Sequence, residues 1–180
     1  EFRRVLFRSH ILEVSADELN DYLQNFKYDI AVLADGEKKA QKDARVANIE
    51  SRDNLDVTSH YALSTDQGQG KAEELRIMFE KYRELLIDLT NGTKKAEYEQ
   101  MFSTSGGVNN DGDSITWEEV IFEGMPVGAS ITILSKMQLD VRSAQSEMIQ
   151  YLLSQTDASD IRVNNLKAFV IPQSTYIMRG

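Results

Sequence analysis

The sequence predicts a mainly α chain: an antiparallel helical bundle with a short β segment at the C-terminus. Three observations carry that reading. Apolar residues recur at spacings of three and four over long stretches. Only 2 of the 180 residues are proline, so little interrupts those stretches. After residue 160 the period changes, and short β-rich runs appear at 166–171 and 175–178. A chain of this length buries well over half of its unfolded surface and needs no disulfide or metal staple. With no cysteine and 2 histidines, thiol catalysis, zinc ribbons and iron–sulfur ligation are excluded. A formal net charge of -9 argues against a nucleic-acid partner, which needs a basic face to neutralise phosphates.

Residues 1–9, EFRRVLFRS, form a basic, apolar nonapeptide joined to an acidic protein. They spell one reading frame of a common short-read sequencing adapter. They are set aside as an artefact that carries no native structure and packs against nothing. On this reading the chain is a truncated open reading frame, and whatever preceded His10 is missing.

Between 11 and 34, Leu19, Tyr22, Leu23, Phe26, Ile30 and Leu33 form the stripe of an amphipathic helix. Ser15-Ala16-Asp17-Glu18 spells a capping box, which would make the first turns a separate helix. Asp35-Gly36 ends the run. Residues 37–45 have the composition of a short helix, and 51–70 read as a loop. A second helix spans about 71–90, with Leu75, Met78, Phe79, Tyr82, Leu85, Leu86 and Leu89 on one side and Asn91-Gly92 as its stop. A shorter one follows near 94–102, and 103–114 is a polar loop. Thr116-Trp117-Glu118-Glu119 is a capping box opening the next helix, which Gly124-Met125-Pro126 breaks. The longest helix then runs from about 127 to 155, with Ile131, Leu134, Met137, Val141, Ala144, Met148 and Tyr151 spaced almost as a coiled-coil seam.

The motifs that resemble sites fail one by one. Gly68-Gln69-Gly70-Lys71 lacks the first glycine of a phosphate loop, because Thr65 stands there, and lacks the hydroxyl after lysine, where Ala72 stands. The run Asn109 to Glu119 is rich in hard oxygen ligands, but no register satisfies a calcium loop. Glu118, Glu119 and Glu123 sit in a helix first turn, where acidic residues favour the dipole, and no histidine accompanies them. His10 and His60 are isolated. Asn91-Gly92-Thr93 is a glycosylation sequon by spelling alone, and the methionines at 78, 101, 137 and 148 are core filler. The expectation is no catalytic residue, no cofactor-binding residue and no metal ligand. The chain is read as not an enzyme, without a small-molecule substrate.

From the capping box onward the sequence resembles a known family. Trp117-Glu118, Phe122-Glu123, Met125-Pro126 and the stretch from Ile131 through Ala144 match the pattern W-E, F-E, M-P, I-T-x-L-S-K-x-Q-x-D-V-R-x-A of the gliding-motility proteins GldM and PorM. The run from Val170 to Gly180 is similar to the strand that opens that family's next domain. Gly70 to Arg76 and Tyr82-Arg83-Glu84 fit more loosely, and 36–68 departs freely.

The resemblance implies the first periplasmic domain of an inner-membrane protein of the Bacteroidetes type IX secretion system. It implies a homodimer, with GldL as partner in the inner membrane and the GldK–GldN (PorK–PorN) ring at the far end. On that view residues 10–163 are the helical periplasmic domain and 164–180 start a truncated β-rich domain, extended and detached from the helical core. The membrane helix and the distal domains are absent, and no site residue carries over. The function implied is a non-enzymatic, force-transmitting component. The alternative is a helical periplasmic adaptor or chaperone-type binding module unrelated to a motor. Burial of the seam of helix 127–155 inside one chain would favour a scaffold; an exposed apolar stripe would favour a docking face.

Overall fold

A computed structural model describes residues 2–63 and 70–166, with side chains at 3–63 and 70–155. Helix α1 (Phe2–Asp35) contains neither glycine nor proline, so nothing stops it once nucleated. Leu12, Ala16, Leu19, Leu23, Phe26 and Ile30 lie along one side at alternating spacings of four and three, each no more than 1% exposed. Gly36, at a φ of +88°, ends the helix in the left-handed conformation that glycine adopts without strain, and its N–H bonds Val32 O at 2.8 Å.

Two expectations about this helix are corrected. Ser15 caps nothing: it lies mid-helix, because extending a formed helix by one residue costs far less than starting another. Residues 2–9 are helical rather than structureless. A Gly- and Pro-free segment in phase with an existing helix simply prolongs it. Val5 packs against the core and the Arg8 guanidinium donates to Leu89 O at 2.9 Å, while Leu6 and Phe7 stay exposed.

Residues 37–45 form turns instead of a short helix, followed by a single 3-10 turn at Val46–Asn48. Asp35 ties this segment to α1: its two carboxylate oxygens accept the N–H groups of Glu50 and Ser51 at 2.7 and 2.9 Å. Part of the expected 51–70 loop is helical. Helix α2 (Asp56–Leu63) is capped by Asn54, whose side-chain oxygen accepts from the N–H groups of Asp56 and Val57, and it buries Thr58, Tyr61 and Ala62.

Helix α3 (Lys71–Leu89) buries Leu75, Phe79, Tyr82, Leu86 and Leu89, and α4 (Lys95–Met101) buries Tyr98. Within the expected polar loop sits an antiparallel pair, β1 (Gly107–Val108) and β2 (Ser114–Ile115), in register Gly107 to Ile115. Gly106 precedes it at a close approach, since a Cβ there would lie 2.2 Å from Ile115 O. The β segment expected at 164–180 falls outside the described residues, except that 164–166 continue the last helix.

Helix α5 (Trp117–Phe122) carries the capping box the sequence announces, with Thr116 and Glu119 bonded reciprocally. Its rings lock it to its neighbours: Phe122 stacks on Phe26 at 5.3 Å between centroids, and Trp117 meets Phe79 edge-on at 6.2 Å. Helix α6 (Val127–Leu166) follows Pro126 and outruns its expected end at 155. The first free N–H groups of α6, those of Val127 and Gly128, are satisfied by Asn54 O and Arg52 O.

Side-chain bonds from α1 set the helix directions. Asp17 meets Arg142 and Asn20 meets Gln138, so α1 and α6 are antiparallel. Tyr22 meets Lys71 and Arg8 meets Leu89, so α1 and α3 are antiparallel too. Of the expected α6 seam, Ile131, Leu134, Val141, Ala144 and Met148 are buried inside the one chain, with Val127 and Leu152 beside them, while Met137 and Tyr151 are only half-buried. Each fully buried aliphatic side chain contributes about 1.5–3 kcal/mol on burial. Leu139 and Leu153 remain exposed on its outer side.

Candidate functional site

Of the acidic trio, Glu118 and Glu119 lie in the first turn of α5, whereas Glu123 lies at its C-terminal end rather than in the first turn. Glu119 is consumed by the capping box. Glu123 is exposed. Glu118 reaches across to α3, where its carboxylate accepts from Arg76 Nε at 2.6 Å. Arg76 also meets Glu80 at 3.1 Å and Glu73 at 3.7 Å, and Thr104 donates to the same Glu80 oxygen at 3.0 Å. The hydrogen bonds to Glu118 and Glu80 raise the Arg76 pKa above its ordinary value. Burial pushes the Glu80 carboxyl up, but the bonds from Thr104 and Arg76 outweigh it and hold it below the usual range.

This node lines an open cleft of about 670 Å³ between α3, α5 and the residues before β1. Its polar groups face one another. The arrangement holds α5 and the 103–106 segment on α3. Arg76 escaped the sequence reading because its main partner is 42 residues away.

The remaining motifs serve local structure. Gly70 precedes α3 and Lys71 pairs with Glu74 one turn on, while 68 and 69 lie outside the described residues. Asn109 spends its side-chain oxygen on the N–H groups of Asp111 and Asp113, shaping the hairpin tip. His10 and His60 are exposed and far apart in sequence. Met148 is fully buried; Met78, Met101 and Met137 pack partly buried against the core. Among the described residues no group of three His, Cys, Asp or Glu could hold a metal ion, and no helix is long and apolar enough to cross a membrane.

A second polar cluster lies where α1 crosses α6. Asn20 and Lys27 are each only 6% exposed. Lys27 Nζ donates to Gln138 Oε1 at 3.1 Å and to Gln24 Oε1 at 3.5 Å. Gln138 Nε2 donates to Asn20 O at 3.3 Å and to Gln24 Oε1 at 3.2 Å. Burial lowers the Lys27 pKa, and the distant charge of Asp43 only partly offsets that. The sequence held one signal for this cluster: continuing the seam from Ile131 and Leu134 by four places falls on a glutamine.

These features define a class: a helical domain built around two long antiparallel helices, whose charged groups brace its parts. A family model, that of the GldM N-terminal domain, matches residues 2–155. The chain belongs to the GldM family, whose members are components of the gliding-motility and type IX secretion machinery. No curated protein matches it.

Proposed function

We propose that this chain is a non-enzymatic, force-transmitting part of the periplasmic portion of a GldM-like inner-membrane protein. The observation that carries the reading is the α1–α6 pair. Helices of 34 and 40 residues, about 50 and 60 Å long, lie antiparallel with most of their aliphatic seams buried inside one chain. Such a pair resists bending and shear, and nothing about it needs a substrate. Burial of most of the seam supports a scaffold reading, while Leu139 and Leu153 leave apolar surface on α6 for a partner or a second copy. For the whole protein we propose a homodimer, driven from GldL in the membrane and reaching the GldK–GldN ring.

The test is to insert Gly-Ser-Gly-Ser after Gln155, where the family match ends, in the full-length protein of a gliding host. A flexible joint there interrupts α6 beyond Leu152, its last buried seam residue among the described side chains, and uncouples the bundle from the distal part of the protein. The expected result is normal protein abundance with loss of gliding and of secretion. Unimpaired gliding would support the adaptor reading, since a binding module tolerates a flexible tether.

A further inference from the structure

The seams of α1 and α6 do not by themselves choose an axial alignment. In α1 the apolar positions are 12, 16, 19, 23, 26 and 30; in α6 they run 127, 131, 134, then 141, 144, 148 and 152. Both series advance by four and three, so sliding one helix past the other by a helical turn or a heptad again sets aliphatic side chains against aliphatic ones. Such a slide breaks the Asp17–Arg142 pair at the surface and the bonds that hold the start of α6 on 52–54, and within the seam it breaks a part-buried polar cluster. Gln138 occupies the α6 place between Leu134 and Val141, and opposite it Asn20, Gln24 and Lys27 lie side by side on α1. All of the bonds that cross the helix pair here depend on Gln138 standing at this one level. A displaced α6 would leave the Lys27 ammonium facing aliphatic side chains, still out of water and without its acceptor on α6.

We propose that the Gln24, Lys27 and Gln138 side chains, with the Asn20 backbone carbonyl, set the axial register of α1 against α6. Its contribution is discrimination between alignments rather than stability. An ammonium held by neutral amides gains less than an aliphatic side chain of its size would gain by packing. A single polar layer in an apolar helix seam is the arrangement by which helices specify register at a cost in stability. The inference does not depend on the motor reading, because register is measured on the isolated chain.

The absence of cysteine makes the test direct. Asp21→Cys and Gln150→Cys place spin labels on exposed positions of α1 and α6 in the full chain. The native cluster should give one narrow distance by pulsed dipolar spectroscopy. The triple variant Gln24→Leu, Lys27→Met, Gln138→Leu should unfold at an equal or higher temperature. Its distance should be split or displaced by about 5 Å, one helical turn. Lys27→Gln, which keeps a polar layer, should retain the single distance. The same narrow distance in the triple variant would overturn the proposal. So would loss of its cooperative unfolding, because the cluster would then be needed for folding itself.

Discussion

Two fully buried hydroxyls, those of Thr58 and Tyr98, lack a hydrogen-bond partner among the described residues, and Tyr98 is the larger side chain. Burial pushes its pKa up to about 12. Removing that hydroxyl removes an uncompensated desolvation cost, so Tyr98→Phe should be neutral or stabilising by up to about 1 kcal/mol at pH 7 in urea unfolding. The raised pKa has a sign consequence. The neutral phenol's contribution is present below the unfolded value near 10, and it is lost as pH rises towards 12. The variant should therefore lose less stability than the native chain between pH 9 and 11. Clear destabilisation at pH 7 would mean the hydroxyl has a partner. Asp35 behaves in the opposite sense. Burial pushes its carboxyl up, but hydrogen bonds from Glu50 and Ser51, with the charge of Lys39, bring it below its ordinary value. Its contribution is present above about pH 4 and disappears as pH falls through the depressed native value. Asp35→Asn should cost about 1 kcal/mol at pH 7 and progressively less below pH 4; a cost independent of pH would remove the carboxylate from the account.

Among the elements, Gly106 decides whether the hairpin can sit where it does. A methyl group there would collide with a backbone carbonyl, which cannot swing aside as a long side chain would. Gly106→Ala should lower stability by about 1–3 kcal/mol, with the loss concentrated in β1, β2 and α5. Hydrogen exchange would show it, and unchanged protection of 107–122 would refute it. The elements also show what the sequence makes legible. Helices α3 and α5 and the start of α6 are local affairs, set by a long apolar stripe, a Thr116–Glu119 box and Pro126. Helix α2 is not, because its eight residues bury a threonine, a tyrosine and an alanine, a face with almost no hydrophobic contrast. The hairpin has two residues per strand, too few for an alternating pattern. The Arg76 node and the Lys27 cluster join residues 42 and 111 apart, and no local spacing encodes such pairs.

At the scale of the whole molecule, α1 is the common wall against which α2, α3 and α6 all pack. The last of these contacts links the two ends of the sequence. Lys27 and Gln138 are 111 residues apart, and Asp17 and Arg142 are 125 apart. A helical protein ordinarily folds fast because its contacts are local, but closing α6 onto α1 joins distant segments and carries a loop-closure entropy cost. Until α6 closes, the apolar side of α1 that it covers stays bare. Closure of α6 should accordingly be a late step. Val141→Ala, in the middle of the seam, should speed unfolding in stopped-flow experiments while leaving the refolding rate nearly unchanged. A matching slowdown of refolding would place α6 in the nucleus instead. The long partnership that stiffens the finished molecule is thus also the reason the folding chain spends its youth half-dressed.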